Sequence, residues 1–584
     1  MAEKTPTAAA VAAAKTPAGT QAAPSPADKK KAKPDEPRDT LREIFETVVF
    51  VVVLVLLLKT FVAEAFVIPT GSMGPTLYGY QKIVTCDKCA HTFPVNCSSE
   101  VDPQHGRQAV FVTGCYCPNC QNQIKWGPES GPGWNSGDRV LVAKFLYDRG
   151  RLWTPKRHQV FVFKYPEKPQ QDTTAMNYIK RCEGLPGETI AIFGGDLYVT
   201  KSLQYENQTP SAKPEERWQK ENMYINDLSA QRLFESSYLK QTEGKATPDD
   251  FTIVRKPPDE MLAMRRIVFD NDSQPSDLAG RVFRWRHPQG RWSGDDPRSP
   301  KRFTHSGSGA DSAMEWLSYA HLIRPNIPRR LEVPRGLEES DDRYWITDTL
   351  GFNGGFSADN EQVTEAIGRF WVGDLMTECD VKVSAPQGEL VLELSSGYDR
   401  FRARFDLATG KCKLTRTPKA DGEETVLGEA DTPLKKTGNY KLRFANFDQR
   451  LTVWVDGKLP FGDGVVYNPR DRIGPTKEND LEPARIGARG GQVEISHLQI
   501  WRDLYYTMNP ESSVAEIRIG DQTHTIQTYY VQPGHYLALG DNSAASSDSR
   551  YWGLVPERLL LGRALVVYFP FWPFTSETRA GLIR

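Results

Sequence analysis

A mainly β fold is what this sequence predicts, and three features carry that expectation. The 46 glycines, 41 prolines and 13 tryptophans favour turn-rich sheets over helical bundles. In "RFRARFDL", Phe401, Ala403, Phe405 and Leu407 alternate with polar residues, and "YKLRF" alternates Tyr440, Leu442 and Phe444. That is the period of a half-buried strand. In "RLTVWVDGKLPF", Asp456-Gly457 is a strong signal for a hairpin joining two strands. At 584 residues the chain exceeds one hydrophobic core, so two to four domains are expected. A net charge of −1 gives no global field towards nucleic acid, and no nucleic-acid partner is expected.

Taken in order, the chain opens with a polar leader. Residues 1–40 are mostly Ala, Pro, Thr and Lys and cannot bury enough surface to offset chain entropy, so a disordered tail over 1–42 is expected. Next comes "LREIFETVVFVVVLVLLLKTFVAEAFVIP", with Val48–Leu58 wholly apolar. A bilayer core needs about 20 helical residues, so Lys59 must snorkel if the segment spans. A transmembrane anchor over 43–65 is expected. Lys29, Lys30, Lys31, Lys33, Arg38 and Arg42 precede it and put the tail in the cytoplasm and the rest outside. The small-x-small "AEA" at 63–65 also fits a cleaved leader. Cleavage there would leave the next motif at a frayed terminus, which favours an uncleaved anchor.

That motif is "VIPTGSMGPTL", residues 67–77, with Ser72 held among glycines and prolines. A serine nucleophile needs a base. The motif is neither G-x-S-x-G nor S-x-x-K, and the nine histidines offer no obvious triad partner. A desolvated lysine is the other solution, because burial disfavours the ammonium form. Lys180 in "NYIKRCEGLPGETIAI" sits in an alternating apolar setting. Taken alone, Ser72 reads as a turn serine and Lys180 as a solvated edge-strand lysine.

Together with "GDRVLVAKF" (137–145) and "PGHYLALGDNSAASSDSRYWGLVPERLLLGRA" (533–564), these stretches resemble the boxes of the type I signal peptidases, in their usual order after an anchor. The resemblance covers about 41–80, 134–200 and 520–575. It implies an antiparallel β catalytic core behind a transmembrane helix, cutting signal peptides from exported preproteins after small-x-small motifs with no catalytic cofactor. Ser72 is implied as nucleophile and Lys180 as general base. The Ser72 N–H and the Thr70 hydroxyl, where the family often has serine, are the implied oxyanion donors. Ser546 is implied to orient the lysine, with Asp541, Asp548, Arg550 and Arg181 as braces. A shallow cleft of Phe66, Ile68, Pro69, Met73, Leu77, Tyr178 and Ile179 would admit alanine. One departure stands out: the family's G-D-N-R-D-N-S reads "GDNSAAS" here, with Ser543 and Ala544 in place of a charge pair and Ala545 in place of asparagine. The implied location is a cytoplasmic membrane, single-pass, with the catalytic part outside and the bilayer and preproteins as partners.

Two regions exceed a minimal enzyme of this kind. Within the first core segment (66–204), an insert at 84–124 holds Cys86-x-x-Cys89 and Cys117-x-x-Cys120, knuckles that suit structural zinc and resemble a zinc ribbon. Cys97, Cys115, His91 and His105 are spare ligands. Three disulfides are the competing reading, because topology places the segment outside. The second region is an irregular polar insert at 205–261 followed by a β-sandwich or jelly roll at 262–505. The sandwich weakly resembles concanavalin A-like or laminin-G-like folds, and a glycan or protein ligand is its candidate partner. Core segment 506–584 closes the chain. The rival reading is an inactive membrane-anchored binding module on a peptidase scaffold. A self-cleaving Ser/Lys repressor would need a DNA-binding head, and residues 1–42 contain none.

Overall fold

The computed structural model describes residues 40–102, 110–127, 130–144, 146–147, 154–165, 176–205, 225–287, 290–307, 313–324, 343–348, 354–357, 368, 370–418, 422–509, 514–570 and 579–584. The leader up to residue 39 and His105 lie outside these residues. Two units partition the chain, Met1–Leu57 and Leu58–Arg584. In the first, Thr40–Leu57 forms an 18-residue α-helix whose apolar side chains from Ile44 to Leu57 are exposed.

The anchor expected over 43–65 needs correcting. At about 1.5 Å per residue this helix is about 27 Å long, short of a hydrocarbon core of about 30 Å. No helix among the described residues is long and apolar enough to cross a membrane. The sequence continues apolar, but its backbone is used differently. A π-turn at Leu58–Val62 leads into the strand Ala63–Val67, which pairs with Arg139–Ala143 and is pinned by a Lys144–Glu64 ion pair at 2.6 Å. Sheet pairing claims residues that apolarity alone assigned to the helix.

Three larger sheet systems and two three-stranded sheets make up the described part of the second unit. In the first, antiparallel strands run in the spatial order Ala63–Val67, Arg139–Ala143, Leu560–Phe569, Val160–Tyr165, Met176–Gly184, His535–Leu539 and Val555–Pro556. The strands from the far end of the chain alternate with early ones, so this sheet forms only if the 350 residues between Gly184 and His535 return to their starting point. A five-stranded sheet carries that return: Thr189–Phe193 pairs with Gln522–Tyr530 in register Thr189↔Tyr530. Of the insert at 205–261 expected to be irregular, the described residues 225–261 hold regular elements. Asp227 caps the helix Leu228–Thr242 by accepting the Ser229 and Ala230 N–H groups. This helix buries Phe234 and Tyr238 against Phe193, Tyr198 and Ile526. Its mean polarity hid a single apolar face.

The third system is the expected sandwich. One antiparallel sheet includes Leu375–Ala385, Gly438–Phe447, Arg450–Val455 and Gln492–Arg502, and the other includes Glu389–Ser396, Asp399–Asp406, Lys411–Pro418 and Ala484–Arg489. Phe401, Ala403, Phe405, Leu407, Leu442 and Phe444 are buried in their shared core. The opposite face of Asp399–Asp406 carries Arg402 and Arg404, paired with Glu393 and Glu389. The Asp456-Gly457 turn exists, with positive φ at both residues, yet it closes only a Val455↔Lys458 bridge. Pro460 lacks the N–H that a longer ladder needs. The hairpin that forms instead turns at Asp448-Gln449, where φ is also positive, and pairs Gly438–Phe447 with Arg450–Val455.

Candidate functional site

Ser72 lies in a single 3-10 turn, Gly71–Met73, closed by the Gly74 N–H to the Gly71 carbonyl. The turn is held from both sides. Tyr80 N–H donates to the Pro69 carbonyl at 3.3 Å, and Tyr78 N–H donates to Asp138 Oδ2 at 2.9 Å. On the other side Asn542 donates its N–H to the Ser72 carbonyl (3.0 Å) and its Nδ2 to the Gly71 carbonyl (3.1 Å). Gly540 lets the loop come this close, since a Cβ there would sit 2.6 Å from the Ser72 carbonyl oxygen and 2.1 Å from Ser546 Oγ.

Lys180 is on the strand Met176–Gly184, and its side chain points to the Ser72 turn. Its Nζ lies 2.7 Å from Ser72 Oγ and 3.2 Å from the Ile179 carbonyl. The residue is 3% exposed. Burial pulls the ammonium down to about 8, opposed by the negative charges of Asp548 and Asp541 and assisted by Arg550. Thr70 Oγ1 is 3.3 Å from Ser72 Oγ.

Arg181 faces the other way, as strand alternation requires, and grips Asp541 with two bonds of 2.8 and 2.6 Å. It also donates to the His158 carbonyl (2.6 Å) and to Thr76 Oγ1 (3.3 Å), while Thr76 donates to Asp541 Oδ2. Arg550 pairs with Asp548 through Nε and Nη2 at 2.8 and 2.7 Å. Asp548 also accepts the Gly540 N–H. The loop with the altered sequence is held by this same arginine, which donates to Ser543 Oγ and to the Ser543 carbonyl, both at 2.7 Å. Ser543 Oγ in turn accepts the Thr507 N–H. The Ser543 hydroxyl thus sits between the Arg550 guanidinium and the Thr507 N–H. Ser546 stands apart: its buried Oγ has no hydrogen-bond partner among the described residues, so the expected bond to Lys180 is not formed.

Of the seven expected cleft residues, Ile68, Met73, Leu77 and Ile179 are buried in one core cluster with Val140 and Val162. Phe66, Pro69 and Tyr178 are half-buried. Sequence reasoning missed three residues. Asn542 is one. Another is Arg266, at the entry to the sandwich, which donates to the Gly74 carbonyl at 2.8 Å and to the Asp541 carbonyl. Burial lowers its guanidinium to about 10. The third is Arg579, which bonds Asp138 and the Pro75 and Thr76 carbonyls and stacks 3.8 Å over Tyr78. Both arginines come from segments with no motif, so only tertiary structure identifies them.

The Sγ atoms of Cys86, Cys89, Cys117 and Cys120 all lie within 4.8 Å of one another and are buried. All nine cysteines are free thiols, so the disulfide reading is not what is found. Cys97 and Cys115 are buried, and burial pushes each thiol up to about 12. His91 is half-buried.

A family model described as signal peptidase, peptidase S26, matches residues 127–264 and 481–569. Two parts of the chain are therefore similar to signal peptidases. Probable signal peptidase I-2 of Synechocystis sp. is 33% identical over 129 residues, which is 21% of this chain and 51% of that protein. Signal peptidase IB of Staphylococcus aureus is 28% identical over 164 residues, 26% of this chain and 78% of that protein. The chain thus spans about half the length of the first of these relatives. Lys180, Arg181, Asp541, Ser546, Asp548 and Arg550 fall inside the family match, and Ser72 lies before it. Among solved structures, carbohydrate binding module CBM66 from Bacillus subtilis shares 11% identity at a TM-score of 0.21, covering 38% of this chain and 96% of that one. That likeness is too slight to bear on a ligand.

Proposed function

We propose that this protein is a serine endopeptidase of the signal-peptidase kind, cutting preproteins after small-x-small sequences. The observation that carries the reading is the 2.7 Å contact between Lys180 Nζ and Ser72 Oγ, with the lysine buried and its ammonium weakened to about 8. In the neutral form the Lys180 amine takes the hydroxyl proton as Ser72 Oγ attacks the scissile carbonyl carbon. The same proton passes from Lys180 to the leaving amine as the C–N bond breaks. The Ser72 N–H and the Thr70 hydroxyl are the proposed donors to the oxyanion, each such donor contributing about 3–4 kcal/mol in a comparable protease. Arg181 and Asp541 tie the Lys180 strand to the loop that braces the Ser72 turn, and Asp548 and Arg550 hold that loop. Phe66, Pro69 and Tyr178 are proposed to line the approach for the small side chain before the cut.

We further propose that the apolar helix Thr40–Leu57, extended through the π-turn, associates with the bilayer, its basic leader on the cytoplasmic side. Its support is the run of exposed Val, Leu, Ile and Phe, which water disfavours. A preprotein with an Ala-x-Ala site tests the reading. Cleavage should occur after the second alanine and disappear when that alanine becomes leucine. Cleavage indifferent to the leucine would sink the proposed specificity, and no cleavage at all would favour an anchored binding module.

A further inference from the structure

We infer that Cys86, Cys89, Cys117 and Cys120 bind one zinc ion, and that this ion clamps the β-sandwich to the segment carrying Ser72. The backbone is built twice in the same way. Cys86 N–H donates to the His91 carbonyl and Ala90 N–H to the Cys86 carbonyl, both at 2.9 Å. Cys117 N–H donates to Asn122 at 2.9 Å and Gln121 N–H to Cys117 at 2.8 Å. The residue after each second cysteine, Ala90 or Gln121, has φ of 57° or 61°. Left-handed backbone at two non-glycine residues persists where the surroundings fix it.

The sulfur geometry fits a metal better than it fits disulfides. Cys86 and Cys120 Sγ are 3.5 Å apart, and Cys89 and Cys117 Sγ are 3.6 Å apart. A disulfide needs about 2.05 Å. A tetrahedral Zn–S4 site with bonds of about 2.3 Å has S···S edges of about 3.8 Å. Cys120 N–H donates to Cys117 Sγ at 3.5 Å, and Arg324 Nε donates to the Cys120 carbonyl at 2.7 Å, outer contacts that hold the ligands in place. Four thiols loading one Zn²⁺ release four protons and leave a dianionic centre.

The two knuckles have different neighbours. The first follows directly from the nucleophile segment through the strand Gln81–Thr85, and Cys97 N–H bonds the Tyr80 carbonyl at 3.0 Å. The second is wedged onto the sandwich entry. Asn119 accepts the Asp270 N–H (2.7 Å) and donates to the Ser273 carbonyl (2.6 Å). Arg324 also bonds Asp277 with both terminal nitrogens. Ser276 N–H reaches back to the Lys88 carbonyl in the first knuckle at 2.8 Å. One ion therefore closes a junction between the nucleophile segment and residues 270–277.

The test uses the full chain, purified in detergent without chelator. One zinc per chain is expected, together with nine titratable thiols after denaturation in chelator, the number of cysteines in the sequence. Nine thiols with no zinc retained after incubation with zinc would overturn the site, as would only five thiols, the count left by two disulfides. Cobalt(II) in place of zinc should give the intense visible bands of tetrahedral thiolate ligation, and a spectrum of hexaaqua cobalt would contradict it. Hydrogen exchange before and after zinc removal tests the clamp. Faster exchange is expected in both 69–80 and 270–277. Acceleration confined to 86–122 would leave the ion local and overturn the clamp.

Discussion

The pH dependence of cleavage follows from the burial of Lys180. Its ammonium is weakened from 10.5 to about 8 because the side chain is out of water, while Asp548 and Asp541 oppose the change. That difference corresponds to roughly 3 kcal/mol. At pH 7 an ordinary lysine is about 0.03% neutral, whereas one at about 8 is about 9% neutral, a gain of about 300-fold in usable base. Only the neutral amine accepts the Ser72 proton, so kcat/KM should rise about tenfold from pH 7 to a plateau above pH 9. The perturbation is Asp548→Asn. It removes the carboxylate that most stabilises the ammonium and leaves Arg550 uncompensated nearby, so the midpoint should move to lower pH. The assay is kcat/KM on a fluorogenic Ala-x-Ala peptide between pH 6 and 10. A rise centred above pH 10, or a shift of the Asp548→Asn midpoint to higher pH, would refute the reasoning.

Other outcomes follow from the same contacts. Asp541→Ala leaves the fully buried Arg181 unpaired and should cost about 3–5 kcal/mol in denaturant unfolding of the core, while a loss below about 1 kcal/mol would contradict the bracing role. Ser546→Ala removes a hydroxyl with no partner among the described residues, so kcat/KM should change less than about twofold; a hundredfold loss would mean that it orients Lys180 after all. Phe405→Ala in the sandwich core should cost about 3–5 kcal/mol, read as a lowered melting temperature. Asp374 shares a junction with Asp196, Asp448, Asp503 and Lys256, and burial pushes its carboxyl up to about 8. Because the folded state binds that proton more tightly than the unfolded one, its contribution is full below about pH 4 and is lost as pH rises to about 8. Asp374→Asn should flatten that loss in urea titrations at pH 5 and 8; an unchanged slope would contradict it.

The strand alternation around Phe401 and Tyr440 was legible because one face of each strand is buried and period two survives in the sequence. Ser72 and Lys180 were singled out by the set of motif boxes and not by their own local patterns, which read as a turn serine and a solvated lysine; the fold shows that their atoms meet across 108 residues. The anchor's end was misjudged because apolarity does not distinguish a helix from the buried edge of a sheet at Ala63–Val67. The helix at 228–242 was missed because its apolar face rests on two aromatic residues amid polar ones. Arg266 and Arg579 were invisible: Arg266 acts through backbone carbonyls, and Arg579 through carbonyls and the Asp138 carboxylate, contacts that leave no spacing in the sequence. The Asp456-Gly457 hairpin failed for a local reason that Pro460 already announces.

Cleavage of an Ala-x-Ala preprotein in detergent by wild type, Ser72→Ala and Lys180→Met is the most direct measurement of the central claim. Wild type should cleave, and both variants should lose at least about a thousandfold while their circular dichroism stays native. Cleavage by either folded variant at the wild-type rate would show that the pair at 2.7 Å is not the engine of this protein.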